Sequence, residues 1–313
     1  MTGMRAMLRA ARGVTLVEMI VVIAITGIIG AVVAVFIRRP VEGYVDAARR
    51  AELTDIADTA LRRFTRDLRT ALPNSVRVTE SPPASGIFYL EYLETRTGGR
   101  YRTEVPSTVP ASSASTCPDT DGDTLANENV LQFGVADTCL GAIGDIPDRT
   151  AVTTSDFLVV YNLGAGIANA DAYASGAVTG GNKSLITAAV GAGTGGENVV
   201  RFTSHTFTFP SPGRRFHVIS GPVTYVCDPV NRTLRRVSGY AIQAAQPVDI
   251  NAAPLSTAPV NALLASNVGP PCTIAYTIGG ATGRTGVVAL NLQVSQSGET
   301  VRLFQQVHIN NVP

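Results

Sequence analysis

Gly13-Val14-Thr15-Leu16-Val17-Glu18 opens an apolar run that continues to Ile37 and holds no other charged side chain. The run from Val14 to Ile37 is 24 residues long. At about 1.5 Å of rise per residue, a helix of that length crosses a hydrocarbon core of about 30 Å with some tilt. Glu18 falls at the fifth position counted from Val14. A carboxylate in lipid is costly unless a partner neutralises it, so Glu18 is a candidate functional residue. A secretory signal peptide has an apolar region of only about 7–15 residues and ends in an A-x-A-like site. Here no such site follows, and Arg38-Arg39-Pro40 closes the run. A plain one-pass anchor explains the length, but neither the carboxylate nor the glycine where polar leader meets apolar helix.

Arg5, Arg9 and Arg12 precede the span, as in a cytoplasmic leader, while Arg38, Arg39, Arg49 and Arg50 follow it closely. The positive-inside rule therefore does not settle the orientation. Cysteine usage is more informative. Cys117, Cys139, Cys227 and Cys272 form an even set with no C-x-x-C pair and no histidine at zinc-ligand spacing. Behind a membrane-targeting segment, that favours two disulfides in an oxidising compartment. Three pairings are open. Cys117–Cys139 and Cys227–Cys272 are expected, since each lies within one half of the domain, and each closed loop would contribute on the order of 3–4 kcal/mol.

Beyond the span, Leu53, Ile56, Ala60, Leu61, Phe64, Leu68 and Leu72 recur at steps of three and four, the apolar face of an amphipathic helix. Asp46–Arg50 and Asp58–Arg62 are spaced as solvent-side ion pairs, and Pro73 is the expected stop. With Pro40 as no more than a kink, the helix would run from Val14 to Leu72, or roughly 88 Å. The expected organisation is a leader over 1–13, a membrane-spanning half over 14–37, an amphipathic half over 38–72 and a globular domain over 73–313. Gly27 and Gly30 are weak points in the apolar half.

The globular region reads as β-rich. Ile87 to Glu94 is expected to meet Tyr101 to Glu104 in a hairpin across Thr97-Gly98-Gly99. Further strands are expected over Asp156–Leu163, Val199–Thr203, Thr206–Phe209 and Phe216–Ser220. Val223–Cys227 would turn through Asp228-Pro229-Val230-Asn231 into Thr233–Val237. Val288, Leu290, Leu292 and Val294, then Val301, Leu303, Val307 and Ile309, alternate as a closing hairpin with one buried face. Gly164–Asn198 and Ala244–Pro271 read as loops from their Gly, Ala, Ser, Thr and Pro content.

The amino-terminal motif resembles that of type IV prepilins and pseudopilins. Leu68–Arg77, Gly221–Pro229 with Gly239-Tyr240, and Val307-His308-Ile309-Asn310-Asn311 resemble the MshO family, minor pilin-like proteins of mannose-sensitive haemagglutinin (MSHA) pilus biogenesis that are similar to J-type pseudopilins of type II secretion. The resemblance implies an α+β fold, a long pilin helix packed on a β-rich, pseudopilin-like periplasmic domain. It implies peptidase cleavage after Gly13, N-methylation at Val14, and a role for Glu18 in assembly. Val14 departs from the phenylalanine usual there. The implied setting is the inner membrane and then the pilus. Implied partners are other major and minor pilins, the prepilin peptidase and the assembly platform in the inner membrane. A J-like pseudopilin, or a tip adhesin with a surface ligand, are the alternatives.

Asp119, Asp121 and Asp123 cluster oxygen ligands as calcium requires, but Gly122 is misplaced for an EF-hand, so a solvated acidic loop is the plainer reading and no cofactor is expected. Gly191-Ala192-Gly193-Thr194-Gly195-Gly196 matches G-x-G-x-x-G without the helix a dinucleotide site needs. Hydrolase motifs are missing, and Ser204 beside His205 is a chance pair more often than a nucleophile with its base, so no catalysis is expected. Acidic residues slightly outnumber basic ones over 73–313, so nucleic acid is not an expected partner. The one basic-aromatic candidate is Arg214, Arg215, Arg232, Arg235 and Arg236 interleaved with Phe216, Tyr225 and Tyr240.

Overall fold

The computed structural model describes residues 13–103, 130–176, 178–192, 198–279 and 283–313. Helix α1 (Leu16–Leu68) contains Pro40, and the boundary between two compact units falls inside it, between Glu52 and Leu53. In the first unit every residue from Gly13 to Arg38 is exposed. Helix α1 is thus long and apolar enough to cross a membrane, and none of its most apolar window is buried by the chain. Arg38 and Glu42 pair at 2.8 Å on either side of Pro40, and Arg49 meets Asp46 at 3.3 Å.

The second unit begins with the amphipathic half. Leu53, Ala57, Ala60, Leu61, Phe64 and Leu68 are buried, as the periodicity requires, and the Asp58–Arg62 pair closes at 2.6 Å. The helix ends four residues before Leu72. Ala71 instead bridges Glu94, and the Leu72 N–H donates to the Leu93 carbonyl, so backbone pairing with a strand ends the helix before Pro73 can.

Among the described residues fourteen strands follow: β1 (Arg77–Glu80), β2 (Phe88–Arg100), β3 (Ala136–Ala142), β4 (Phe157–Val160), β5 (Thr179–Gly180), β6 (Lys183–Leu185), β7 (Gly191–Ala192), β8 (Asn198–Thr206), β9 (Arg215–Asp228), β10 (Thr233–Ser238), β11 (Val260–Ser266), β12 (Val268–Gly279), β13 (Thr285–Gln296) and β14 (Glu299–Asn310). The largest sheet is built around β9. One edge of β9 pairs with β2; the other pairs with β4 over Phe216–Ile219 and with β10 over Val223–Asp228. Strands β12-β13-β14 form a second antiparallel sheet and β3-β8-β7 a third.

The main core joins α1 to both larger sheets. Phe64 packs edge-on against Tyr225 at 5.0 Å between centroids, amid Leu90, Tyr92, Leu234, Ile274, Leu290 and Leu292. A second core lies around Tyr101, Leu140, Val200, Phe202, Phe216 and Val218. On the other face of the large sheet, Tyr89, Val226, Val237, Tyr240 and Leu255 make a smaller cluster. Cys227 and Cys272 are bonded, Cα to Cα 6.0 Å, which ties β9 to β12 inside the main core. Cys139 is disulfide-bonded as well; Cys117 lies outside the described residues.

Four expectations need correction. No hairpin forms at Thr97-Gly98-Gly99: β2 runs straight through them, with Gly98 opposite His217 and Gly99 opposite Phe216. A Cβ on Gly98 would stand 2.7 Å from the Phe216 carbonyl oxygen, and one on Gly99 2.9 Å from the Phe216 ring. These glycines allow close approach of two strands rather than a turn. The strand expected over Thr206–Phe209 is absent, because β8 runs on to Thr206 before the chain leaves the sheet. Within 164–198 the short strands β5, β6 and β7 form. Within 244–271, β11 pairs with β10, and Pro270 and Pro271 fall in a bulge of the outer strand β12, where a missing N–H breaks no ladder bond.

The other two expected hairpins form. In the first, the Asp228 carboxylate accepts the N–H groups of Val230 and Asn231 at 2.9 and 2.8 Å, closing the turn from β9 to β10. In the second, Ser297 and Gly298, both at positive φ, join β13 to β14, and Val288, Leu290, Leu292 and Val294 are fully buried.

Candidate functional site: the start of the apolar helix

Gly13, Val14 and Thr15 precede α1, and Thr15 caps it. Its hydroxyl accepts the Glu18 N–H at 3.3 Å, and its carbonyl accepts the Met19 N–H at 3.1 Å. Thr15-x-x-Glu18 is the spacing of a capping box, a signal that the apolar-run reading passed over. Glu18 lies in the first turn, where the unsatisfied N–H groups favour a negative charge. Its carboxylate is exposed and has no ion-pair or hydrogen-bond partner among the described residues. Val14 is 68 % exposed, and no atom stands within 4 Å of where a Cβ on Gly13 would be. Gly13, Val14 and Glu18 therefore share one short, open segment. Farther along, Thr26 donates its hydroxyl to the Val22 carbonyl at 2.6 Å and so presents no unsatisfied polar group to lipid.

Two buried polar clusters hold the second unit together, and neither was legible beforehand. Asp67, near the end of α1, accepts from Arg236 Nε at 2.6 Å and from the Tyr225 hydroxyl at 2.9 Å, while Arg236 Nη2 reaches Glu94 at 3.1 Å. Burial, together with the adjacent Asp67 carboxylate, pushes the Tyr225 phenol well up. On the opposite face of the sheet, Glu91 is fully buried and Arg77 contacts both its carboxylate oxygens at 3.1 Å. The same guanidinium donates to the carbonyls of Gln243 and Ala244 and lies 3.7 Å from the centre of the Tyr173 ring. Burial raises the Glu91 carboxyl to about 7, with Arg77 opposing. These are pairs separated by 14 to 169 positions, which no local spacing announces.

Asp119, Asp121 and Asp123 lie outside the described residues, as do Gly193 to Gly196. Among the described residues no group of three or more His, Cys, Asp or Glu could hold a metal ion. The basic-aromatic strip does not form on the surface: Phe216, Tyr225 and Tyr240 are buried, and Arg236 is spent on Asp67 and Glu94. Ser204 and His205 are neighbours on β8, so they point to opposite faces of the strand. The His205 ring packs on Phe207 and contacts the Gly181 carbonyl at 3.2 Å.

Residues 8–34 match the family described as Prokaryotic N-terminal methylation motif. No curated protein and no solved structure matches the chain. The motif supports a type IV pilin-like protein or pseudopilin, a structural rather than catalytic class. It implies processing by a prepilin peptidase and association with other pilus components. The motif and the apolar helix together fit a membrane-anchored protein with a C-terminal domain.

Proposed function

We propose that this chain is a non-catalytic minor pilin of the MSHA type, cut after Gly13, N-methylated at Val14 and built into a pilus in an initiation or tip complex. The observation that carries this reading is the methylation motif laid over an exposed apolar helix whose first turn holds a carboxylate unpaired among the described residues. Cleavage frees the amine of Val14, and methylation leaves it positive at neutral pH. The Glu18 carboxylate of one subunit then pairs with the amine of the next as the helices bundle. Each isolated charge would cost several kcal/mol in an apolar core, and the close pair offsets much of that. The pairing fixes axial register more than it adds net stability.

The inner membrane holds the precursor, with the unit from Leu53 onward in the periplasm, and the Cys227–Cys272 bond suits that oxidising compartment. A C-terminal unit with three sheets among its described residues is large for repeated lateral packing, which supports a minor rather than a major subunit. The test is Glu18→Ala. Membrane insertion should be unchanged while the amount recovered with sheared filaments falls. Recovery at the wild-type level would contradict the assembly role.

A further inference from the structure

The end of α1 carries a row of arginines that neither the membrane half nor the core uses. Arg62 and Arg66 stand at i and i+4 on one face of α1, Arg69 follows in the turn just past its end, and all three are exposed. Arg62 shares Asp58. Arg66 lies 3.8 Å from Asp67, whose carboxylate is already taken by Arg236, and the Arg69 guanidinium has no hydrogen bond or ion pair among the described residues.

The row borders a recess of about 270 Å³ that also includes Gln305 of β14. A second recess, about 300 Å³, adjoins the first through Arg69 and is lined by Thr95, His217 and Asn310. Thr95 Oγ1 and His217 Nε2 are buried there without a hydrogen-bond partner among the described residues. Orphaned buried polar atoms are uncommon in folded proteins and call for an explanation. Burial, with Arg215 nearby, holds the His217 ring down to about 4, so at neutral pH it is an uncharged group that can donate one N–H. Strand β14 is an outer strand and pairs with β13 alone among the described residues, so its other edge keeps unpaired backbone donors and acceptors.

We infer that this cleft, between the end of α1 and the free edge of β14, receives an extended acidic segment of a neighbouring subunit. Three arginines against one aspartate leave the cleft net positive, which fits carboxylates. The row runs from the last turns of the helix past its end and spans two adjoining recesses, a length suited to a strand rather than a single small ion. Main-chain pairing to β14 would supply register, and arginine–carboxylate pairs would supply choice of partner. The identity of the neighbour rests on the pilin reading; the chemistry of the cleft does not.

The full-length chain in detergent, titrated at low salt with fluorescein-labelled hexaglutamate, tests the inference. Hexaglutamate should bind at least tenfold more tightly than hexaglutamine or inorganic phosphate. Arg66→Glu with Arg69→Glu should weaken hexaglutamate tenfold or more, and both sites are exposed, so the variant should fold. Arg235→Glu and Glu18→Ala, outside the cleft, should leave that affinity unchanged. Equal hexaglutamate affinity in wild type and the double variant would overturn the inference, as would phosphate binding as well as the peptide. Either result would leave the assembly role of Glu18 standing, since that is read from filament incorporation alone.

Discussion

Glu18 and Glu91 are both carboxylates in costly surroundings, and they are resolved in opposite ways. Glu18 has no partner among the described residues, and under the proposed assembly role one arrives from a neighbouring subunit. Glu91 has its partner in Arg77, yet burial still raises its carboxyl to about 7 from an ordinary 4.5. The folded chain therefore holds that proton more tightly than the unfolded chain does. The Glu91 contribution to stability should be greatest below about pH 4.5, fall on the order of 3 kcal/mol as pH rises to about 7, and level off above, while His217, held down to about 4, contributes the opposite trend over that window. Glu91→Gln should flatten that slope, whatever its effect at any single pH. Denaturation of wild type and variant at a series of pH values between 4 and 8 checks it; equal slopes would show that Glu91 does not titrate in this window.

At the scale of elements, local patterns were legible where one side chain period decided the outcome. The β9–β10 turn at Asp228 and the β13–β14 hairpin formed where periodicity and turn residues placed them, and the amphipathic half of α1 did so except that it ends at Leu68, four residues short of Leu72. Thr97-Gly98-Gly99 misled because glycine serves both turns and close strand packing, and only the neighbour on β9 distinguishes them. Gly98→Ala should therefore destabilise the fold by about 1–3 kcal/mol, because its Cβ meets backbone rather than a movable side chain. Unfolding of the purified full-length chain measures this, and an unchanged midpoint would restore the turn reading. The alanine- and proline-rich 244–271 region misled differently. Composition cannot reveal that β10 offers its edge to β11, or that two prolines can sit in a bulge on an outer strand.

For the molecule as a whole, the division of labour was legible at once and the fastening was not. An apolar exposed helix, an amphipathic continuation and a β-rich unit follow from hydropathy and its period. The Asp67–Arg236–Glu94 and Arg77–Glu91 clusters do not, because they join residues far apart in sequence through geometry that only the folded sheet creates. Nor did the capping role of Thr15 emerge, although its spacing to Glu18 was in plain view.

The central claim is that Glu18 awaits a positive amino terminus made by cleavage after Gly13. Intact-mass and amino-terminal peptide mass spectrometry of the protein from membranes or filaments of a peptidase-positive cell tests it most directly. The account predicts a chain that begins with N-methylated Val14, and an uncleaved chain for Gly13→Ala. A mature protein beginning at any other residue, or a wild-type chain that keeps its first thirteen residues, would contradict it.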